Sequence, residues 1–268
     1  MNFDLGPALL FCPADRPERF QKASERADAV ILDLEDAVLP DAKDAARRNV
    51  IAADIDPHRV IVRVNAPDTD AFMADLSALA QTDFRTVMVA KTESAESLAA
   101  FDERYSLIAL CETARGVHAA DRIAAHPTVS AMMWGAEDLV ASLGGTSSRN
   151  VDGGYRDIAR YARARVLLEA GAHGKAAIDA VHIDLDDSDG LQREARDAAA
   201  SGFRATACIH PSQVELIRAA YRPDDPSIDW ARAVLAAAAS ERGVFRFEGR
   251  MIDEPVLRHA RSVVSRAR

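Results

Sequence analysis

The chain is poor in the features that would tie it to a membrane, to nucleic acid or to an oxidising compartment. No apolar run approaches the roughly 18 residues that cross a bilayer, so a soluble globular protein is expected. Met1-Asn2-Phe3-Asp4-Leu5 lacks a basic stretch leading into an apolar one; no signal peptide is read there, and a cytoplasmic location is expected. Cysteine is scarce: Cys12, Cys111 and Cys208 lie far apart, in strand-like segments and without CxxC spacing. They read as small buried apolar residues and not as a disulfide framework. Basic residues are in deficit, with a net charge of −9 and no basic stripe, which argues against nucleic acid as a main partner. Local Arg and Lys residues can still receive an anionic small molecule. A Gly-rich phosphate turn after an early strand is also missing, and Gly144-Gly145 is late and isolated. An open doubly wound sheet, the competing architecture, would want that turn.

What is present is an alternation of short apolar runs with longer helical patterns. Its 268 residues fit one large α/β domain. The strand-like runs are Ala8–Cys12, Ala29–Leu34, Val60–Asn65, Thr86–Ala90, Leu107–Cys111, Ala131–Trp134, Ala180–Ile183 and Ala207–Ile209. They are rich in Val, Ile and Leu and often continuous, as strands covered on both sides should be. Helical patterns follow at Pro17–Ala27, Asp41–Ile51, Ala71–Ala80, Ala95–Phe101, Val117–Ala125, Asp157–Ala170, Gly190–Ala200 and Gln213–Ala220. Pro17, with its fixed φ, suits a first helical turn. Eight strand–helix units predict a TIM (β/α)8 barrel over residues 1–222. Arg222-Pro223-Asp224-Asp225-Pro226 breaks the pattern. Residues 223–268 then form a helical extension: Ala231–Ser240, Arg242-Gly243-Val244-Phe245, and a last helix from about Glu254. It is too short to be an independent domain and suits a lid or a subunit-exchange arm.

A TIM barrel carries its chemistry on the loops that follow its strands. Each strand end here bears polar or charged residues: Asp15-Arg16, Asp33-Leu34-Glu35-Asp36, Arg63 and Asn65, Lys91, Glu112, Gly135-Ala136-Glu137-Asp138, then Asp184, Asp186 and Asp187, and finally His210. Arg63 stands inside Val60-Ile61-Val62-Arg63-Val64, where a charge must be paired or ligand-facing. Glu112 ends an uninterrupted apolar run, and Thr113 beside it can serve as the helix cap. Asp15, Asp138 and Asp189 have capping as their bland alternative. His210, before Pro211, can be a turn residue, and His182-Ile183-Asp184 has no convincing zinc spacing. Two carboxylates from adjacent strands, with waters and ligand oxygens, suit Mg²⁺, which takes six oxygens at ~2.0–2.1 Å; Mn²⁺ is the alternative.

At these strand ends the sequence resembles the citrate lyase beta-subunit-like family of CoA-ester lyases. The resemblance runs through Leu10-Phe11-Cys12-Pro13-Ala14-Asp15-Arg16-Pro17-Glu18-Arg19-Phe20 and Ala29-Val30-Ile31-Leu32-Asp33-Leu34-Glu35-Asp36-Ala37-Val38. It continues through Val62-Arg63-Val64-Asn65, Ile108-Ala109-Leu110-Cys111-Glu112-Thr113-Ala114-Arg115-Gly116, Trp134-Gly135-Ala136-Glu137-Asp138-Leu139 and Ile209-His210-Pro211-Ser212-Gln213. The chain departs from the family's usual pattern at Gly6-Pro7-Ala8 and at Ala205-Thr206. It looks like the shorter, stand-alone branch, with malyl-CoA and citramalyl-CoA lyases among its relatives. The resemblance implies that Glu112 and Asp138 ligate Mg²⁺ and that Arg63 binds the keto acid carboxylate. It further implies that Gly135 and Ala136 offer backbone N–H groups to that fragment, with Glu35 and Asp36 supporting the catalytic centre. Arg16 and Lys22 match the side that receives CoA phosphates. Asp253, within Gly249-Arg250-Met251-Ile252-Asp253-Glu254-Pro255, matches a catalytic Asp that enters a neighbouring subunit's site, which implies a homo-oligomer, a trimer in the family.

These parts suit retro-Claisen cleavage of a 3-hydroxyacyl-CoA into a keto acid and an acyl-CoA. Citramalyl-CoA, malyl-CoA, 3-hydroxy-3-methylglutaryl-CoA and citryl thioester all carry the required hydroxyl and carboxylate. Two other readings remain at this stage: a metal-dependent pyruvate aldolase that uses no CoA, and a non-catalytic subunit of a larger complex.

Overall fold

The computed structural model describes residues 3–241 and 243–267, so Met1, Asn2 and Arg242 of the sequence reading lie outside the described residues. It divides into two compact units, one ending at Ile217 and one beginning at Arg218. The sequence reading divided the chain at residue 222.

The first unit is a closed barrel of eight parallel strands in sequential order. They are β1 (Ala8–Pro13), β2 (Ala29–Asp33), β3 (Val60–Val64), β4 (Thr86–Val89), β5 (Ser106–Cys111), β6 (Val129–Trp134), β7 (Ala176–Asp179) and β8 (Ala205–Cys208). β1 pairs with β8 through Leu9↔Ala207, which closes the ring. Around it lie α1 (Phe20–Arg26), α2 (Lys43–Ile51), α3 (Asp70–Leu79), α4 (Ala114–His118), α5 (Ala120–Ala124), α6 (Ala136–Ser142), α7 (Asp157–Ala172), α8 (Ser188–Ser201) and α9 (Pro211–Tyr221). The barrel interior is filled from all eight strands, by Leu9, Ile31, Ile61, Met88, Ile108, Leu110, Met133, Ile178 and Ala207 among others, all buried. Side chains alternate along a strand, so the residue two beyond an interior one points inward again. Asp33 follows Ile31, Arg63 follows Ile61, Glu112 follows Leu110 and Gly135 follows Met133. The pleat therefore brings these four to the barrel mouth.

Three sequence expectations need correction. The seventh strand is Ala176–Asp179, not Ala180–Ile183. Ala176, Ala177 and Ile178 pair with β6, whereas Ile183 and Leu185 are each 48% exposed in a loop; the alternation Val181, Ile183 only imitated a strand. The seventh strand accordingly ends at Asp179 instead of among Asp184, Asp186 and Asp187. The expected helix Ala95–Phe101 is one 3-10 turn at Glu96–Leu98. The expected helix Val117–Ala125 is two short helices separated at Ala119.

The second unit comprises α10 (Asp225–Ala238), a two-stranded antiparallel hairpin of β9 (Phe245–Phe247) and β10 (Arg250–Ile252), and α11 (Glu254–Arg266). Ile228, Ala231, Val234, Ile252, Ala260 and Val263 form its own buried core. Asp224 caps α10 by accepting from Ser227 N at 2.9 Å, and Pro226 sits in its first turn. Among the described residues no helix is long and apolar enough to cross a membrane.

Candidate active site

Arg63 and Asp33 are the anchor of the mouth. Arg63 Nε donates to Asp33 Oδ1 and Nη2 to Asp33 Oδ2, both at 2.7 Å, and its Nη1 lies 3.0 Å from Glu35 Oε2. This two-pronged contact fixes the plane of the guanidinium, which also lies 4.8 Å from the Phe11 ring centroid. Burial disfavours the Arg63 cation, but the Asp33 carboxylate outweighs it and holds the group charged. Asp33 further accepts from the N–H groups of Glu35 at 2.9 Å and Ala37 at 3.2 Å, so it also shapes the loop leaving β2.

Lys43, from α2, braces the same loop. Its ammonium donates to the carbonyls of Leu34 and Glu35 and to Asn65 Oδ1, at 2.8, 3.0 and 2.8 Å. Asn65 in turn donates to Asp75 Oδ2 and to Leu34 O. Asn65, noted in the sequence for its position, thus belongs to the scaffold of the β2 and β3 ends.

Glu112 is buried at the end of β5, where its Oε1 accepts from Lys91 N at 3.0 Å. Burial, reinforced by the nearby Asp138 charge, pushes its carboxyl from an ordinary 4.5 up to about 8. Gly135 makes room for it: a Cβ there would stand 2.8 Å from Glu112 Oε2. Thr113 is the cap of α4, accepting from Gly116 N at 3.1 Å, which leaves Glu112 out of that role. Glu137 and Asp138 part company after β6. Ser148 Oγ donates to Glu137 at 2.6 Å, whereas Asp138 Oδ1 lies 3.6 Å from the Lys91 ammonium.

That ammonium also hydrogen-bonds Glu35 and, at 2.9 Å, Asp36 Oδ2. Burial raises the Glu35 carboxyl despite Arg63 and Lys91. Asp36 moves the other way: some burial opposes it, but the Lys91 hydrogen bond and charge hold it below its usual range. The structure therefore joins Glu35, Asp36, Arg63, Glu112, Gly135 and Asp138 into one group. Lys91 is its link, and the sequence reading gave it no role.

The donor set fits a hard divalent ion. Glu112 and Asp138 place carboxylate oxygens at neighbouring strand ends, and a cation there would offset the cost that burial and the Asp138 charge impose on an ionised Glu112. The nearest thiols suit a soft ion poorly, because burial pushes Cys111 up to about 12 and Cys12 up to about 11.

The other sequence candidates make local contacts or lie exposed. Arg16 is exposed in the turn before α1, 3.8 Å from Asp15, and Lys22 is exposed on α1. His210 engages Ser212 Oγ at 2.7 Å and accepts from Ser212 N, a local turn. His182 is buried against Glu194 at 2.9 Å, and Asp187, not Asp189, caps α8. In the second unit Asp253 caps α11, accepting from Val256 N at 3.2 Å. Asp179 escaped the sequence reading because its strand was misplaced. It accepts from Trp134 Nε1 at 2.6 Å and pairs with Arg163 at 2.9 Å, tying β6, β7 and α7 together. Asp121, Glu169 and His173 also bring ligand-type atoms within 4.8 Å of one another, but on the outer helices α5 and α7 and the residue after α7.

The HpcH/HpaI aldolase/citrate lyase family matches residues 8–211. A citrate lyase subunit beta-like protein of Mycobacterium tuberculosis is 57% identical over 263 residues, covering 98% of this chain and 96% of that protein. The mitochondrial citramalyl-CoA lyase of Homo sapiens is 32% identical over 293 residues, covering 97% and 85%. The crystal structure of CitE from Mycobacterium tuberculosis in complex with magnesium, acetoacetate and coenzyme A aligns with a TM-score of 0.92 at 55% identity, covering 98% of each chain. With a match over most of its length, and with the barrel and mouth just described, this chain belongs to the HpcH/HpaI aldolase/citrate lyase family.

Proposed function

We propose that the chain is a Mg²⁺-dependent carbon–carbon lyase that cleaves or forms a 3-hydroxyacyl-CoA, giving a keto acid and an acyl-CoA. The observation that carries this reading is the joining of Glu112, Asp138 and Arg63 through Lys91 and Glu35 at one end of the barrel. A relative crystallised with magnesium, acetoacetate and coenzyme A, CitE of Mycobacterium tuberculosis, supports it.

In this reading Glu112 and Asp138 hold Mg²⁺. Bound there, the ion would supply Lewis-acid polarisation of the substrate's hydroxyl and carbonyl oxygens. Arg63 commits three of its five N–H groups to Asp33 and Glu35 and offers the others to the substrate carboxylate. Because Asp33 fixes the guanidinium plane, the substrate is held in one orientation rather than merely attracted. Gly135 and Ala136 offer backbone N–H groups to the keto acid fragment, and Glu35 and Asp36 keep Lys91 and Arg63 in place. In cleavage the hydroxyl gives up its proton to solvent water and the bond between C2 and C3 of the acyl chain breaks. The electron pair passes to C2, next to the thioester. Asp253, from a neighbouring copy in a homo-oligomer (a trimer in this proposal), delivers a proton to C2 and in synthesis removes it. Arg16 and Lys22 receive CoA phosphates. Residues 1–222 are then the barrel and residues 223–268 a subunit-exchange extension, in a cytoplasmic enzyme with no nucleic acid or membrane partner.

The test is turnover of the purified protein with Mg²⁺ and a panel of citramalyl-CoA, malyl-CoA and 3-hydroxy-3-methylglutaryl-CoA, following release of keto acid and acyl-CoA. Cleavage that a chelator abolishes is the expected result. Turnover of hydroxy-keto acids lacking CoA, with none of the thioesters, would assign a pyruvate aldolase instead.

A further inference from the structure

Lys91 carries more of the mouth's geometry than a structural lysine needs to. It is the second residue beyond β4 and adopts φ +46°, a left-handed conformation that non-glycine residues rarely take. That turn of the chain aims its N–H at Glu112 Oε1, 3.0 Å away. Its side chain reaches across the mouth to Glu35 and Asp36 and lies 3.6 Å from Asp138 Oδ1. Glycine would meet the backbone requirement without strain. What a lysine adds at this position is therefore its ammonium.

We propose that Lys91 sets how tightly the mouth holds its divalent ion, acting as a fixed competing cation. The inference rests on the reading of Glu112 and Asp138 as metal ligands. One of these is positioned by the Lys91 main chain, and the other is shared with its side chain. A divalent ion held by Asp138 would be close to an ammonium that lies 3.6 Å from Asp138 Oδ1 and is itself held by Glu35 and Asp36. Like charges that close, in a partly buried site, repel strongly, and the repulsion subtracts from metal affinity. Arg63 cannot take over this part, because Asp33 and Glu35 hold it at the β2–β3 side. Lys91 is thus a positioning residue for Glu112 and an electrostatic brake on the ion.

The experiment measures Mn²⁺ binding by paramagnetic resonance of the free ion, on the full chain without substrate, at one pH and one salt concentration. Lys91→Met removes the charge and keeps the stem. Lys91→Asn removes the charge with a residue that tolerates left-handed backbone, so it carries the test where the Met variant fails to fold. Lys91→Arg keeps the charge. Neutral variants are expected to bind Mn²⁺ at least about tenfold more tightly than the unaltered chain, with the Arg variant within about threefold of it. Glu112→Gln, as a reference, is expected to lose binding. Neutral variants that bind equally or more weakly, while Glu112→Gln loses binding, would overturn the role of Lys91 and leave the metal site standing. Full binding in Glu112→Gln would remove the site reading and this inference together.

Discussion

Replacing Glu112 by Gln should make the metal-free protein more stable while removing its capacity for Mg²⁺. Burial and the Asp138 charge raise the Glu112 carboxyl from 4.5 to about 8. At about 1.4 kcal/mol per pKa unit, ionising it in the fold costs about 5 kcal/mol relative to the unfolded chain. The sign follows from linkage. A carboxyl whose folded pKa is raised contributes stability below about pH 4.5 that is lost as pH rises to about 8. Gln does not titrate, and its Oε1 can still accept from Lys91 N. The variant's advantage should therefore be small at pH 5, about a fifth of its full size, and nearly fully developed at pH 8. Desolvation of the Gln amide and relaxation around the charge reduce the gain to about 2–3 kcal/mol, or roughly 4–10 °C in Tm for a chain of this size. Scanning calorimetry with a chelator, at pH 5 and pH 8, measures it. A Gln variant no more stable than the unaltered chain at pH 8, or one with the same advantage at both pH values, would refute the electrostatic account of Glu112.

Three further outcomes are expected. Arg63→Lys keeps a cation but loses the fork, so calorimetric titration with pyruvate in the presence of Mg²⁺ should show affinity weakened about tenfold; equal affinity would leave Arg63 as a partner of Asp33 alone. Gly135→Ala places a Cβ 2.8 Å from Glu112 Oε2 and should weaken Mg²⁺ binding by about tenfold, an effect absent if that carboxylate is not a ligand. Mixing inactive Asp253→Ala and Glu112→Ala chains should restore activity through sites that combine both intact residues, whereas no recovery despite verified subunit exchange would reduce Asp253 to the helix cap it makes on α11.

Why some of this was legible in the sequence and some was not comes down to the range of the interactions. Strands β1 to β6 lie within two residues of their sequence-based bounds, because runs such as Val60-Ile61-Val62 are buried on both sides and can be little else. β7 was displaced because Ala176-Ala177-Ile178 is short and small, while the more apolar stretch beyond it is half exposed. The mouth was legible as a set of strand-end charges, since barrel topology sends every strand end to one side. Its internal pairing was not. Asp33, Glu35 and Asp36 are near neighbours in sequence, yet Asp33 takes the Arg63 fork, Glu35 lies between Arg63 and Lys91, and Asp36 pairs with Lys91. Partners 28 to 56 residues apart decide among the three. Lys91 itself looked like one more charge ending a strand. Its left-handed φ and its contacts with Glu35, Asp36 and Glu112 exist only once β2, β4 and β5 lie in the ring. The chemistry-bearing residue types could thus be picked out from the chain alone, but which carboxylate binds an arginine, which meets an ammonium and which sits buried with a raised pKa are properties of the closed barrel.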